Sequence, residues 1–172
     1  MPETNISIKK YILRYGVILG ILYVISRVVI DLNHDASSIH PVLDLSVRII
    51  VILSGIYAYK SANGGFLKLS KAIKIGIGIA VLAAVMLSVW SILFHTIIEP
   101  DHLAKKYEVL EEQMIEDNLT MSRKDVNQGL EVSKKIGSPY IMSIITITWN
   151  ALLGFFISLL GGAIMYKKKS LL

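Results

Sequence analysis

The sequence predicts an all-α polytopic membrane protein: a transmembrane four-helix bundle with a helical hairpin between its third and fourth spans. Three observations carry this. Of 172 residues 53% are hydrophobic and only 18% charged, against about 25% charged in ordinary soluble chains. The apolar residues fall into four blocks rather than at alternating or helical-face positions throughout. The basic residues gather at the ends of those blocks, as membrane orientation requires.

The spans run at about 11–30, 42–59, 72–98 and 140–166. Crossing roughly 30 Å of hydrocarbon at about 1.5 Å per residue takes about 20 residues (about 17–25), so all four blocks are long enough. Blocks three and four exceed that length, which allows tilt. Helices are required, because backbone groups in lipid must be satisfied within their own segment. The first block follows Lys9, Lys10 and Arg14, yet it is too long for a signal peptide, contains Arg27 and precedes no small-residue cleavage site.

Orientation follows from charge. Lys9, Lys10 and Arg14 precede span one; Lys60, Lys68, Lys71 and Lys74 link spans two and three; Lys167, Lys168 and Lys169 follow span four. The link from Asp31 to Pro41 has no lysine or arginine, and acids outnumber bases in the link after span three. The expected orientation puts both termini on the cytoplasmic side. Tyr11, Tyr15, Tyr57, Tyr59 and Tyr166 fall at that same boundary as an aromatic belt. The net charge of +5 is spent on this asymmetry, so nucleic acid is not an expected partner. There are no cysteines, which excludes disulfides and thiolate chemistry.

Lipid tails are as apolar as leucine, so spans associate through small residues and polar contacts. Span three carries Ala72, Gly76, Ala80, Ala84 and Ser88 at steps of four; span four carries Asn150, Gly154, Ser158 and Gly162, with Ser143 and Thr146 leading in. Span one adds Gly16 and Gly20. Packing within one bundle is the favoured use of these stripes; the alternative is a contact with a second copy. Asn150 is read as a helix-to-helix hydrogen-bonding group.

The segment at about 99–138 has its own periodicity. Leu103, Tyr107, Leu110 and Met114 mark one helical face, with Pro100 and Asp101 suited to its first turn. After a polar break at Asn118 and Thr120, Ser122 and Asp125 resemble a capping box for a second helix with Val126, Leu130 and Ser133 on one face. Gly137, Ser138 and Pro139 end that helix and begin span four. The hairpin is expected on the extracytoplasmic side.

Two constellations stand out. Arg27 with Asp31, and Asp44 with Arg48, are spaced four apart near the outer ends of spans one and two. Structural ion pairs pinning these spans together are favoured over a gate. His34, His40, His95 and His102 all map to the outer side near acids, a composition that suits zinc though in no known motif spacing. Asn63-Gly64-Gly65 reads as a turn, since G-x-x-x-x-G-K is lacking.

Several local strings resemble the domain-of-unknown-function family forty-one ninety-nine of small bacterial membrane proteins. They are Asn63-Gly64-Gly65-Phe66, then Lys71-Ala72-Ile73-Lys74-Ile75-Gly76, Ile98-Glu99-Pro100-Asp101, Gln113 and Ser138-Pro139. Glu99 departs from the asparagine frequent in that family. The resemblance covers nearly the whole chain and implies four spans, an inner-membrane address and an origin in Bacteroidetes; it implies no chemistry. The expected function is that of a non-enzymatic interaction or assembly module in the bilayer, without a cofactor, acting on a membrane protein partner or as a homo-oligomer. The alternatives are a small channel or transporter subunit along the span-four stripe, and a metal-dependent membrane enzyme using the histidines.

Overall fold

The computed structural model describes residues 6–33, 39–117 and 122–167. Among the described residues six α-helices follow one another: α1 Ile8–Asn33, α2 Ile39–Ala62, α3 Leu69–Leu93, α4 His102–Asp117, α5 Arg123–Ile136 and α6 Pro139–Met165. Four stretches are long and apolar enough to cross a membrane: Ile8–Asp31, Pro41–Ala62, Leu69–Ile98 and Pro139–Met165. The chain is therefore a multi-pass helical membrane protein. Span three is continuous only in outline: α3 stops at Leu93 and gives way to a π-helical turn, Phe94–Ile98, closed by the Glu99 N–H donating to the Phe94 carbonyl at 2.8 Å. Apolar periodicity does not distinguish a π-turn from an α-turn, so the sequence carries no sign of it.

The helices group into two compact units. The first holds α1, α2, α3 as far as Leu87, and α6 from Ile147; the second runs from Ser88 to Thr146.

Within the first unit large apolar side chains lie outside as well as inside, where Leu19, Ile52, Ile56, Ile75 and Ile79 are fully buried. Many outward positions are large and apolar, among them Leu13, Val17, Ile50, Leu152, Leu160 and Ile164, the last 87% exposed. Also inside are small or polar residues, including Ala72, Ala80, Ala84, Asn150 and Ser158. Lipid makes this arrangement stable: apolar surface carries no cost there, and helices gain by approaching closely at small residues.

The α3–α6 contact is built from the two stripes. A Cβ on Gly154 would stand 2.6 Å from the Ala80 Cβ and 3.0 Å from the Gly76 carbonyl oxygen. One on Gly162 would stand 2.7 Å from the Ala72 Cβ, and one on Gly76 would fall on Ser158. Ala72 thus faces Gly162, Gly76 faces Ser158 and Ala80 faces Gly154, an antiparallel register. Ala84 and Asn150 are buried in the same unit, and Ser88 is buried in the second. Gly16 and Gly20 behave differently: they are holes for large side chains of α3, Leu82 and Met86.

The basic end is closed by a backbone clip. Gly64 and Gly65 have φ of +67° and +83°, a region that side chains rarely enter, and the Asn63 amide nitrogen donates to the Phe66 carbonyl at 2.9 Å. This turn delivers Leu67, fully buried, to Lys167 beyond α6: each backbone N–H donates to the other's carbonyl, at 3.0 and 3.2 Å. The Lys167 ammonium lies 5.9 Å from the Phe66 ring centre. The family-like Asn-Gly-Gly-Phe string is thus the latch between the α2–α3 link and the end of α6.

In the second unit α4 and α5 lie antiparallel. Tyr107 donates to the Ser133 carbonyl at 3.4 Å, and Met114 lies over Gly129, where a Cβ would meet its methyl at 2.6 Å. Val126 and Leu130 are buried. Ser122 caps α5, accepting from the Asp125 N–H at 3.3 Å and donating to its carboxylate at 2.8 Å. Ser122→Ala should cost about 1 kcal/mol locally, read as roughly fivefold faster amide exchange in the first turn of α5. Gly137 ends α5 at φ −75°, so it is not a left-handed cap. It is glycine because the Tyr107 hydroxyl stands where its Cβ would be.

Candidate functional site

Charged groups within spans are costly and so mark either function or architecture. The first such cluster lies between α1 and α2, which run antiparallel with Tyr11 edge-on to Tyr59 at 5.5 Å. The Arg27 guanidinium meets the Asp31 carboxylate at 3.0 Å, one helical turn on; Asp31 is buried and Arg27 half-exposed. The second expected pair does not form. Arg48 donates from Nε to the Tyr23 hydroxyl and stacks 5.4 Å from its ring centre, while Asp44 accepts from the Ser26 hydroxyl at 3.3 Å. Both members of the expected α2 pair therefore turn to α1. Tyr23 explains the choice: only 4% exposed, it offers Arg48 both an acceptor and a π face, which a neighbour on the same helix cannot present together.

Tyr23 and Ser26 are the residues that spacing rules miss. A signal is present: Tyr23 lies in mid-block, away from the other tyrosines at the basic boundary. The cluster links the two helices through four groups and holds its charges against polar partners. Its chemistry is that of a pin rather than of a reaction centre.

The histidines are partly accounted for. His95, in the π-helical turn, donates from Nδ1 to the Ser91 carbonyl at 2.8 Å, and its ring stands edge-on to Phe94 at 5.2 Å. His34 lies outside the described residues, as do the side chains of His40 and His102. Among the described residues no three His, Asp or Glu side chains form a group that could hold a metal ion.

The second candidate is the α4–α5 pair. Leu103, Tyr107, Leu110 and Met114 are half-buried on the facing side of α4. Val109 and Ile115 of α4, and Val132 and Ile136 of α5, remain more than half exposed. Neither helix is among the four stretches able to cross a membrane, so these apolar groups are not accounted for by a span's contact with lipid.

A family model described as "Protein of unknown function (DUF4199)" matches residues 14–167, the family that the strings around Asn63 and Lys71 resemble. No curated protein and no solved structure matches the chain.

Proposed function

The chain belongs to the DUF4199 family of proteins of unknown function, and from that premise we propose that it is a non-catalytic membrane module that engages a protein partner through α4 and α5. The observation that carries this reading is the exposed apolar set Val109, Ile115, Val132 and Ile136 on a helix pair outside the spans. Contiguous apolar patches mark contact surfaces, and Val132 and Ile136, one helical turn apart on α5, give such a patch its start. The transmembrane small residues are already used within the bundle, which leaves the outer pair as the surface for assembly.

The pair faces the extracytoplasmic side of a bacterial inner membrane, with both termini cytoplasmic. The support is the charge pattern: residues 4–30, 45–98 and 140–172 contain no acid, while lysines crowd the end where α1 begins and α6 finishes. The rival reading, a channel along Gly154, Ser158 and Gly162, is disfavoured because Ala72, Gly76 and Ala80 occupy that stripe. The metal-dependent enzyme rests on the histidines alone.

Two measurements test the proposal. The chain has no cysteine, so Lys124→Cys gives a single label site, which an impermeant maleimide should modify in intact cells. Native mass spectrometry from a mild detergent should then find the chain with a second protein, and Val109→Glu with Val132→Glu should release it while leaving the helices folded. A lone monomer, or a complex indifferent to both substitutions, would sink the interaction reading. Retained zinc would favour the enzyme.

A further inference from the structure

A groove of about 830 Å³ runs between α1, α2 and α6 at the basic end of the first unit, within the size range of about 300–1,000 Å³ typical of small-ligand sites. Tyr15 contributes from α1, Leu53, Tyr57 and Ser61 from α2, and Gly161 and Met165 from α6. Gly161 sits against Leu53, where a Cβ would fall on a leucine methyl. From Leu53 to the last residue of α2, Ala62, is nine residues, or about 13 Å of helix. The groove therefore reaches from hydrocarbon depth to the headgroup boundary. Most of its lining is apolar, with hydroxyls from Tyr15, Ser54, Tyr57 and Ser61, and Tyr57 is 64% exposed.

Basic residues neighbour this lining in sequence, and one of them, Arg14, stacks on a lining side chain. Arg14 precedes Tyr15 and holds its guanidinium 6.0 Å from that ring's centre. Lys60 precedes Ser61, and Lys167 follows Met165 by two residues. No carboxylate occurs in any of the three helical segments that form the groove at this end, since residues 4–30, 45–98 and 140–172 lack acids. The occupant must therefore combine an apolar chain with a negative head. A free phosphate or nucleotide would leave the apolar lining unused, and a neutral lipid would leave the cations unanswered.

We propose that this groove binds one anionic glycerophospholipid, with an acyl chain along the α2–α6 contact and the phosphate among Arg14, Lys60 and Lys167. Anionic headgroups gain about 1 kcal/mol, or roughly fivefold in affinity, per basic residue near the surface. The leaflet that supplies the lipid rests on the orientation proposed above; the binding itself does not.

The test uses the full chain in mild detergent, with phosphatidylglycerol or phosphatidylcholine added at equal concentration and adducts counted by native mass spectrometry. The expected result is a single phosphatidylglycerol adduct preferred over phosphatidylcholine. Arg14→Gln with Lys60→Gln should weaken it about 25-fold. Ala58→Trp, which fills the groove, should remove the adduct, whereas Leu152→Trp on another lipid-facing part of α6 should keep it. Equal binding of the two lipids overturns the proposal, as does an adduct that survives either the charge removal or the tryptophan in the groove. Should Ala58→Trp fail to fold, the Arg14 and Lys60 variant decides the outcome alone. Every arm is read in detergent, so a reversed topology would leave this result untouched.

Discussion

Gly154→Leu is expected to prevent the bundle from closing. The space its Cβ would enter is bounded by the Ala80 Cβ at 2.6 Å and the Gly76 carbonyl oxygen at 3.0 Å. A side-chain tip can rotate away; a backbone carbonyl and a Cβ cannot, so α6 itself must move off α3. Overpacking of this kind costs about 1–3 kcal/mol in a soluble core, where neighbours can repack. Here every neighbour at the contact is already small, and the cost should reach about 3 kcal/mol or more. Ile164→Leu, at a position 87% exposed on the same helix, should change stability by less than about 0.5 kcal/mol. Unfolding in a graded mixture of mild and denaturing detergent measures both. Similar midpoints for the two variants would mean that the stripes do not hold the bundle together.

The second large effect concerns the bond between Tyr23 and Arg48, which either single substitution breaks. Tyr23→Phe keeps the ring but removes the acceptor, leaving the Arg48 guanidinium within a span with one bond fewer. Hydrogen bonds to charged groups contribute about 1.5–3 kcal/mol, and because Arg48 is half-buried the loss should fall toward the lower end of that range. Arg48→Met removes the charge but strands the Tyr23 hydroxyl, which is only 4% exposed, so it should cost about 1–3 kcal/mol. Adding Tyr23→Phe to Arg48→Met should then cost little, a coupling visible in a double-mutant cycle. If the two single effects simply added, the Tyr23–Arg48 bond would not be the pin between α1 and α2.

Much of the architecture is legible in composition and periodicity because lipid is a demanding solvent. A helix that must satisfy its own backbone leaves a block of apolar residues, and blocks can be counted. Ser122 with Asp125 is readable as a cap because the bond is local. The α4 face is readable because Tyr107 and Met114 repeat at helical spacing. Arg48 escapes such reading for the opposite reason: a spacing rule sees Asp44 on the same helix and cannot see Tyr23 on the next. Gly137 reads as a helix stop and is one, but its lack of a side chain serves the Tyr107 hydroxyl. In the same way Asn63-Gly64-Gly65 is a turn by sequence, and only the bonds of Leu67, which it delivers, to Lys167 show what the turn is for.

Residue order by itself determined the number of spans, the segregation of charge to one end, and the small-residue stripes, since each is a property of one segment meeting lipid or water. Tertiary structure alone decided which stripe meets which, that Arg48 and Asp44 both reach across to α1, and that α1, α2 and α6 leave a groove lined by Tyr15, Tyr57 and Met165. Those outcomes depend on distances between segments far apart in the chain. Helical spacing constrains only neighbours on one helix, and it is silent on which faces pack together.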